Sequence, residues 1–260
     1  MTETALLICG HGSRSPKHGI EFSSLMQNIY GLLPDMPILQ AFLEVNQPRI
    51  EDGLHLLKKN GASRIIILPA FLFRGGHVKR DIPAILEKFQ AENPRIRLQY
   101  APALGEDEQF HMVAESCLQQ WGDHREDHSG EHRGQHRGDH NDSLLLTVGR
   151  GSSSGTGQAA TEKLSRHLMQ KMNFADSMTC YAGISQPLLD QALDEIIRKK
   201  PARVVVWPCL LFSGLLLDRI ETQVREVASN HPAIPFTIAP PLGAQQKLAD
   251  MMARQVMQLL

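Results

Sequence analysis

The chain repeats itself. Leu6-Leu-Ile-Cys-Gly10-His11-Gly12-Ser13 aligns with Leu145-Leu-Thr-Val-Gly149-Arg150-Gly151-Ser152 at an offset of 139 residues. Gln47-Pro48 and Gln186-Pro187, Pro69 and Pro208, and Phe73-Arg-Gly75 and Phe212-Ser-Gly214 keep that offset. Ala101-Pro-Ala-Leu-Gly105 returns as Ala239-Pro-Pro-Leu-Gly243 after a one-residue slip. Matched blocks in one order at one spacing define a duplicated unit, so 260 residues divide into two related domains and not one large one. The expected boundaries are 1–121 and 144–260, with 122–143 as a spacer.

Within the first copy, short β-branched or Leu-rich runs alternate with stretches of helical period. Strands are expected near 4–10, 37–43, 64–70 and 96–101, and helices near 16–33, 47–60, 79–91 and 106–120. Pro48 suits a helix's first turn and Asn60-Gly61 a helix end. The order βαβαβαβα predicts α/β architecture, a mostly parallel sheet covered by helices on both faces, in each copy.

Other classes are excluded by balance and length. Lys plus Arg number 27 against 28 Asp plus Glu, which leaves no electrostatic footprint for nucleic acid or an anionic membrane. Apolar runs fall far short of the roughly 20 residues that span a bilayer. The N-terminal Met1-Thr-Glu-Thr has no basic region, so a cytoplasmic protein is expected. Cys9, Cys117, Cys180 and Cys209 lack CxxC spacing and read as buried thiols.

The spacer holds His124, His128, His132, His136 and His140, one at every fourth residue, among Gly, Asp, Glu, Arg and Gln. Such a composition cannot pack a core and is expected to be flexible. It reads either as a solvated tether with incidental histidines or as a low-affinity store for divalent transition metal.

Ligands of open α/β sheets bind outside the carboxyl ends of the strands. There the first copy has His11 after its first strand, Glu44 after the second and His77 beyond the third. Two imidazoles and a carboxylate make a divalent-metal site with positions left for exchange. At the repeat offset stand Arg150, Gly183 and Leu216, so all three are replaced together and act as a unit. Singly, His11 also fits a plain turn residue, Glu44 a carboxylate near a helix start and His77 a solvated loop. No Gly-x-x-x-x-Gly-Lys-[Ser/Thr] loop and no Gly-x-Ser-x-Gly elbow occurs, which argues against nucleotide hydrolysis and against a serine hydrolase.

The segments Leu7-Ile-Cys-Gly-His-Gly-Ser-Arg14, Ala41-Phe-Leu-Glu44 with Gln47-Pro48, and Leu68-Pro-Ala-Phe-Leu-Phe-Arg-Gly-Gly-His77 followed by Arg80-Asp-Ile-Pro83 resemble the class II chelatases of the CbiX type, which insert metal into sirohydrochlorin. The resemblance covers both copies. It implies two related domains facing each other across a tetrapyrrole cleft, an intramolecular pseudo-dimer in a monomer. It also implies His11 and His77 as metal-handling histidines with Glu44 as acidic partner, and a degenerate second copy that closes the cleft. The implied reaction is cobalt(II) insertion for cobalamin synthesis, with iron insertion for sirohaem as the alternative and a non-enzymatic metal carrier or store as the reading from another class. Cobalt is then substrate, with no permanent cofactor. The cysteine-rich iron–sulfur tail of some long members has no counterpart here, so no cluster is expected. Arg14, Arg150, Ser13 and Gly76 are the expected substrate-binding positions, and Arg74, Lys79 and Arg80 add cations to the same loops for a substrate rich in carboxylates.

Overall fold

A computed structural model of the chain describes residues 3–123, 140–151 and 155–260. Among these, no helix is long and apolar enough to cross a membrane. The first copy runs β1 (Glu3–Gly10), α1 (Pro16–Leu32), β2 (Ile38–Phe42), α2 (Ile50–Lys59), β3 (Ala62–Pro69), α3 (Ile82–Glu92), β4 (Arg97–Tyr100) and α4 (Phe110–Asp123). The second runs β5 (Ser143–Gly149), α5 (Gly155–Lys171), β6 (Asp176–Tyr181), α6 (Leu189–Lys199), β7 (Arg203–Cys209), α7 (Leu215–Asn230), β8 (Phe236–Ile238) and α8 (Gln246–Met257). The two parallel sheets have equivalent strand orders, β2-β1-β3-β4 and β6-β5-β7-β8.

Continuous apolar strands arise because both sheet faces are covered. In the first sheet Ala5, Leu7 and Cys9 of β1 with Ile65 and Ile67 of β3 pack against Ile50, Leu54 and Leu57 of α2 and Ile82, Leu86 and Phe89 of α3. The alternate residues Leu6, Ile8, Ile66 and Leu68 are equally buried on the opposite face. Leu144, Leu146, Val148, Val204 and Val206 repeat the pattern with α6 and α7. All four cysteines are buried and none is in a disulfide, and burial pushes the thiols of Cys180 and Cys209 up to about 12.

One expectation needs correction. The helix after β2 starts at Ile50 and not near residue 47, and Pro48 precedes its cap Arg49 instead of occupying the first turn. The intervening residues are held as a loop because Phe42 N–H donates to the Pro48 carbonyl at 2.9 Å across a cis Gln47-Pro48 peptide. Gly61, with φ of +93°, ends α2 as expected.

The compact units group the elements differently from the sequence repeat. One comprises residues 1–110 with 243–260, the other 111–242, so α8 belongs with the first sheet and α4 with the second. In the first unit Asn28 Nδ2 of α1 donates to the Ala244 carbonyl at 3.0 Å, and the Arg64 guanidinium binds the Leu259 and Leu260 carbonyls. In the second, Cys117 Sγ of α4 lies 3.5 Å from the Pro241 carbonyl. The exchange satisfies the same packing rule because α4 and α8 are copies of one repeat element.

Candidate functional site

At the carboxyl edge of the first sheet the β1–α1 and β2–α2 turns are laced by backbone. Leu43 N–H donates to the Gly10 carbonyl at 2.9 Å, and Glu44 N–H to the His11 carbonyl at 3.0 Å. Gly12 makes the approach possible: its φ is +94°, and a Cβ there would lie 1.9 Å from the Glu44 carbonyl oxygen. The lacing presents His11, which is half-buried, at the strand's end.

His77 reaches the same edge from β3. It opens a five-residue π-helical turn, His77–Asp81, that runs into α3. Such turns are rare and cluster at functional sites. The His11 and His77 rings lie with centroids 4.9 Å apart, and His11 also meets the edge of Phe71. His77 Nδ1 is 2.7 Å from Asp81 Oδ2. A carboxylate only accepts, so Nδ1 is the donor, and a neutral ring then presents the Nε2 lone pair, the usual way a carboxylate orients a metal-binding imidazole. Asp81 lies in the Arg80-Asp-Ile-Pro83 segment, where the motif assigned it no role, although its place four residues after His77 was the available signal.

Glu44 is exposed, and its backbone is tied to His11. Among the described residues, the group of three donors within 4.8 Å of one another is made by other side chains, so His11, Glu44 and His77 do not close into one. Val45, next to it, is a β-branched residue at φ of +63° with 48% of its surface exposed, a strained conformation held by the laced turns.

The expected substrate-binding positions separate into two kinds. Ser13 builds the turn: its N–H donates to Asn46 Oδ1 at 2.6 Å and its hydroxyl accepts the Ser15 N–H at 3.1 Å. Arg14 and Arg150 are exposed. Arg80 lies over Gly76, with a guanidinium nitrogen 2.9 Å from where a Cβ would be. A recess of about 210 Å³ next to the turn that His77 opens is lined by Arg74, Val78, Lys79, Pro83 and Tyr100. Arg74 pairs with Glu106 at 2.7 Å, and Tyr100 donates its hydroxyl to the Val78 carbonyl at 3.2 Å. Burial pushes the Tyr100 phenol well up, so it stays neutral.

Of the spacer histidines, His124, His128, His132 and His136 lie outside the described residues. His140 stacks on Phe174, with centroids 4.3 Å apart and planes 5° from parallel, and its carbonyl accepts the Ser143 N–H. It is therefore built into the second unit and is not part of a solvated tether.

The chain thus holds two doubly wound α/β halves, with paired imidazoles at the sheet edge of the first and Arg150 and Leu216 at the repeat positions of the second. The chain belongs to the CbiX family, whose model matches residues 5–120 and again 144–259. It is 30% identical over 260 residues to a protein of Priestia megaterium named sirohydrochlorin ferrochelatase, covering 99% of this chain and 91% of that one. It is 28% identical over 247 residues to another from that organism named sirohydrochlorin cobaltochelatase, covering 94% and 76%. The fold matches the structure of SirB from Bacillus subtilis with Fe3+ at a TM-score of 0.81 and 22% identity, covering 99% and 95% of the two chains.

Proposed function

We propose that this chain inserts cobalt(II) into sirohydrochlorin without nucleotide. The observation that carries the reading is the His11–His77 pair, 4.9 Å apart, with the second ring oriented by Asp81. Insertion replaces two ring N–H protons by one divalent ion and releases both protons. The hydrated ion must first lose water, and neutral imidazoles bind a borderline ion such as cobalt while leaving positions open for the ring nitrogens. His77 offers Nε2 because Asp81 holds Nδ1. Glu44, exposed at the same edge, accepts a ring proton, and Arg14 and Arg80 hold substrate carboxylates by charge-assisted hydrogen bonds. Arg150 is assigned to substrate binding and carries no metal.

Iron is the second reading, favoured by the relative named sirohydrochlorin ferrochelatase. Two imidazoles and a carboxylate do not discriminate strongly among first-row ions. The test mixes purified protein and sirohydrochlorin anaerobically with cobalt(II), iron(II), nickel(II) or zinc(II) and follows the ring's visible spectrum. Cobalt is expected to give the fastest protein-dependent insertion. A faster rate with iron replaces the cobalt assignment, and protein that buffers every ion without accelerating insertion is a carrier.

A further inference from the structure

A second group of metal-binding side chains lies wholly within the other compact unit. His111 and Glu115 sit one turn apart on α4, and His167 faces them from α5. One ligand atom from each lies within 4.8 Å of the other two. The imidazoles of His111 and His167 meet edge to face with centroids 4.6 Å apart, and His167 Nε2 is hydrogen-bonded to Glu115 Oε1. The side chains of His167 and Glu115 are 28% and 21% exposed, so the group is accessible to an ion but largely withdrawn from water.

Packing does not require these residues. The first unit contains the equivalent helix pair, α1 with α8, and after the one-residue slip of the repeat the corresponding positions are Asn28, Ala249 and Ala253. Small side chains close that helix contact, with Ala249 fully buried. The second unit instead spends three polar, titratable groups on the same crossing, and crowds two imidazoles against one carboxylate. Two histidines and one glutamate are also the donor set of zinc sites that keep a fourth position for water.

We propose that His111, Glu115 and His167 form an auxiliary site for a borderline divalent ion, zinc or cobalt, that fastens α4 to α5. None of the three residues belongs to the insertion edge of the first sheet, and they come from two helices, so the ion acts as a cross-link between elements far apart in sequence.

The probe is zinc chloride alone, titrated into the full chain against a chromophoric zinc indicator. A background carrying His11→Ala and His77→Ala removes the insertion pair, and the spacer histidines are the same in every arm. Adding His111→Ala with His167→Ala is expected to remove one tight equivalent of zinc. Glu115→Gln keeps a hydrogen-bonding partner for His167 and is expected to weaken that equivalent about tenfold or more, since even outer partners of a metal ligand carry effects of that size. Should the double variant misfold, the Glu115→Gln result decides. Unchanged zinc number and affinity in the folded variants overturns the site. In the otherwise native chain, insertion at saturating cobalt is expected to survive Glu115→Gln, which separates this proposal from the assignment of the insertion edge. Anomalous scattering at the zinc edge should place an ion among the three side chains, and zinc bound elsewhere with none there also overturns it.

Discussion

The sheet edges of the two halves share a backbone and differ in chemistry. Gly12 and Gly151 have φ of +94° and +90°, and a Cβ on either would strike a carbonyl oxygen of the facing loop, that of Glu44 or Gly183, within 2 Å. Val45 and Ile184 are both left-handed, at +63° and +65°, and Gln47-Pro48 and Gln186-Pro187 are both cis. On this shared scaffold the first half carries His11, Glu44, His77 and Asp81, and the second Arg150, Gly183, Leu216 and Ile220. The fourth replacement is as telling as the other three. Asp81 orients an imidazole, whereas Ile220 is fully buried in the core of the second sheet. Where the first half interposes a π-helical turn to aim His77, α7 starts directly at Leu215 as a regular helix. A duplicated fold thus keeps the turns that shape the sheet edge while the imidazoles and carboxylates stand in one copy only.

The largest effect that would break this comparison is on turnover. His11→Ala or His77→Ala is expected to lower insertion about a hundredfold or more, because the loss of a direct ligand should exceed the 10- to 100-fold typical of its outer partners. Arg150→Ala is expected to raise the apparent KM and leave kcat nearly intact. Near-normal turnover in a folded histidine variant would place the chemistry elsewhere. Asp81→Asn comes next. It keeps the size of the side chain but removes the charge that orients His77, with an expected loss of about 10- to 100-fold in metal affinity or rate and no loss of folded protein. A metal titration of the variant reads this directly.

The shared backbone makes a symmetric prediction. Gly12→Ala and Gly151→Ala should each destabilise by about 1 to 3 kcal/mol through the left-handed conformation, with the carbonyl clash adding to it. Thermal or denaturant unfolding measures both. Only Gly12→Ala should also impair insertion, since it displaces the loop bearing Glu44.

The smallest expected effect concerns His18 on α1, which stands where the second half has Gly157. Burial beside Phe22 holds its pKa below the ordinary 6.5, against a smaller opposing pull from Glu21. A lowered folded-state pKa means the unfolded chain takes up the proton first. The contribution of His18 is therefore neutral above pH 6.5 and becomes destabilising as pH falls below it. His18→Phe should flatten that part of the stability profile, and an unchanged acid limb would contradict the assignment.

Much of the fold was legible because its signals are local or periodic. The strands follow from apolar runs, and the second copy follows from the first by the repeat. The exchange of α4 and α8 was not legible, since copies of one element carry the same buried pattern and nothing in either sequence says which sheet it covers. The start of α2 was misplaced because Pro48 is compatible with a first helical turn, and only the loop bonds of Phe42, Leu43 and Glu44 show otherwise. In the site, His11 and His77 were legible through their joint loss at the repeat positions. Asp81 required knowing that residues 77–81 are helical. The His111–Glu115 spacing was visible, but its partner His167 lies 52 residues from Glu115 and meets it only through packing.

Metal handling is assigned here to the edge of the first sheet and not to its copy. Crystals of the chain grown with cobalt(II), measured on both sides of the cobalt absorption edge, test it most directly. An anomalous peak is expected within bonding distance of His11 and of His77 Nε2, and none at the Arg150–Leu216 edge. A cobalt ion bound at that second edge, with the His11–His77 pair vacant, would contradict it.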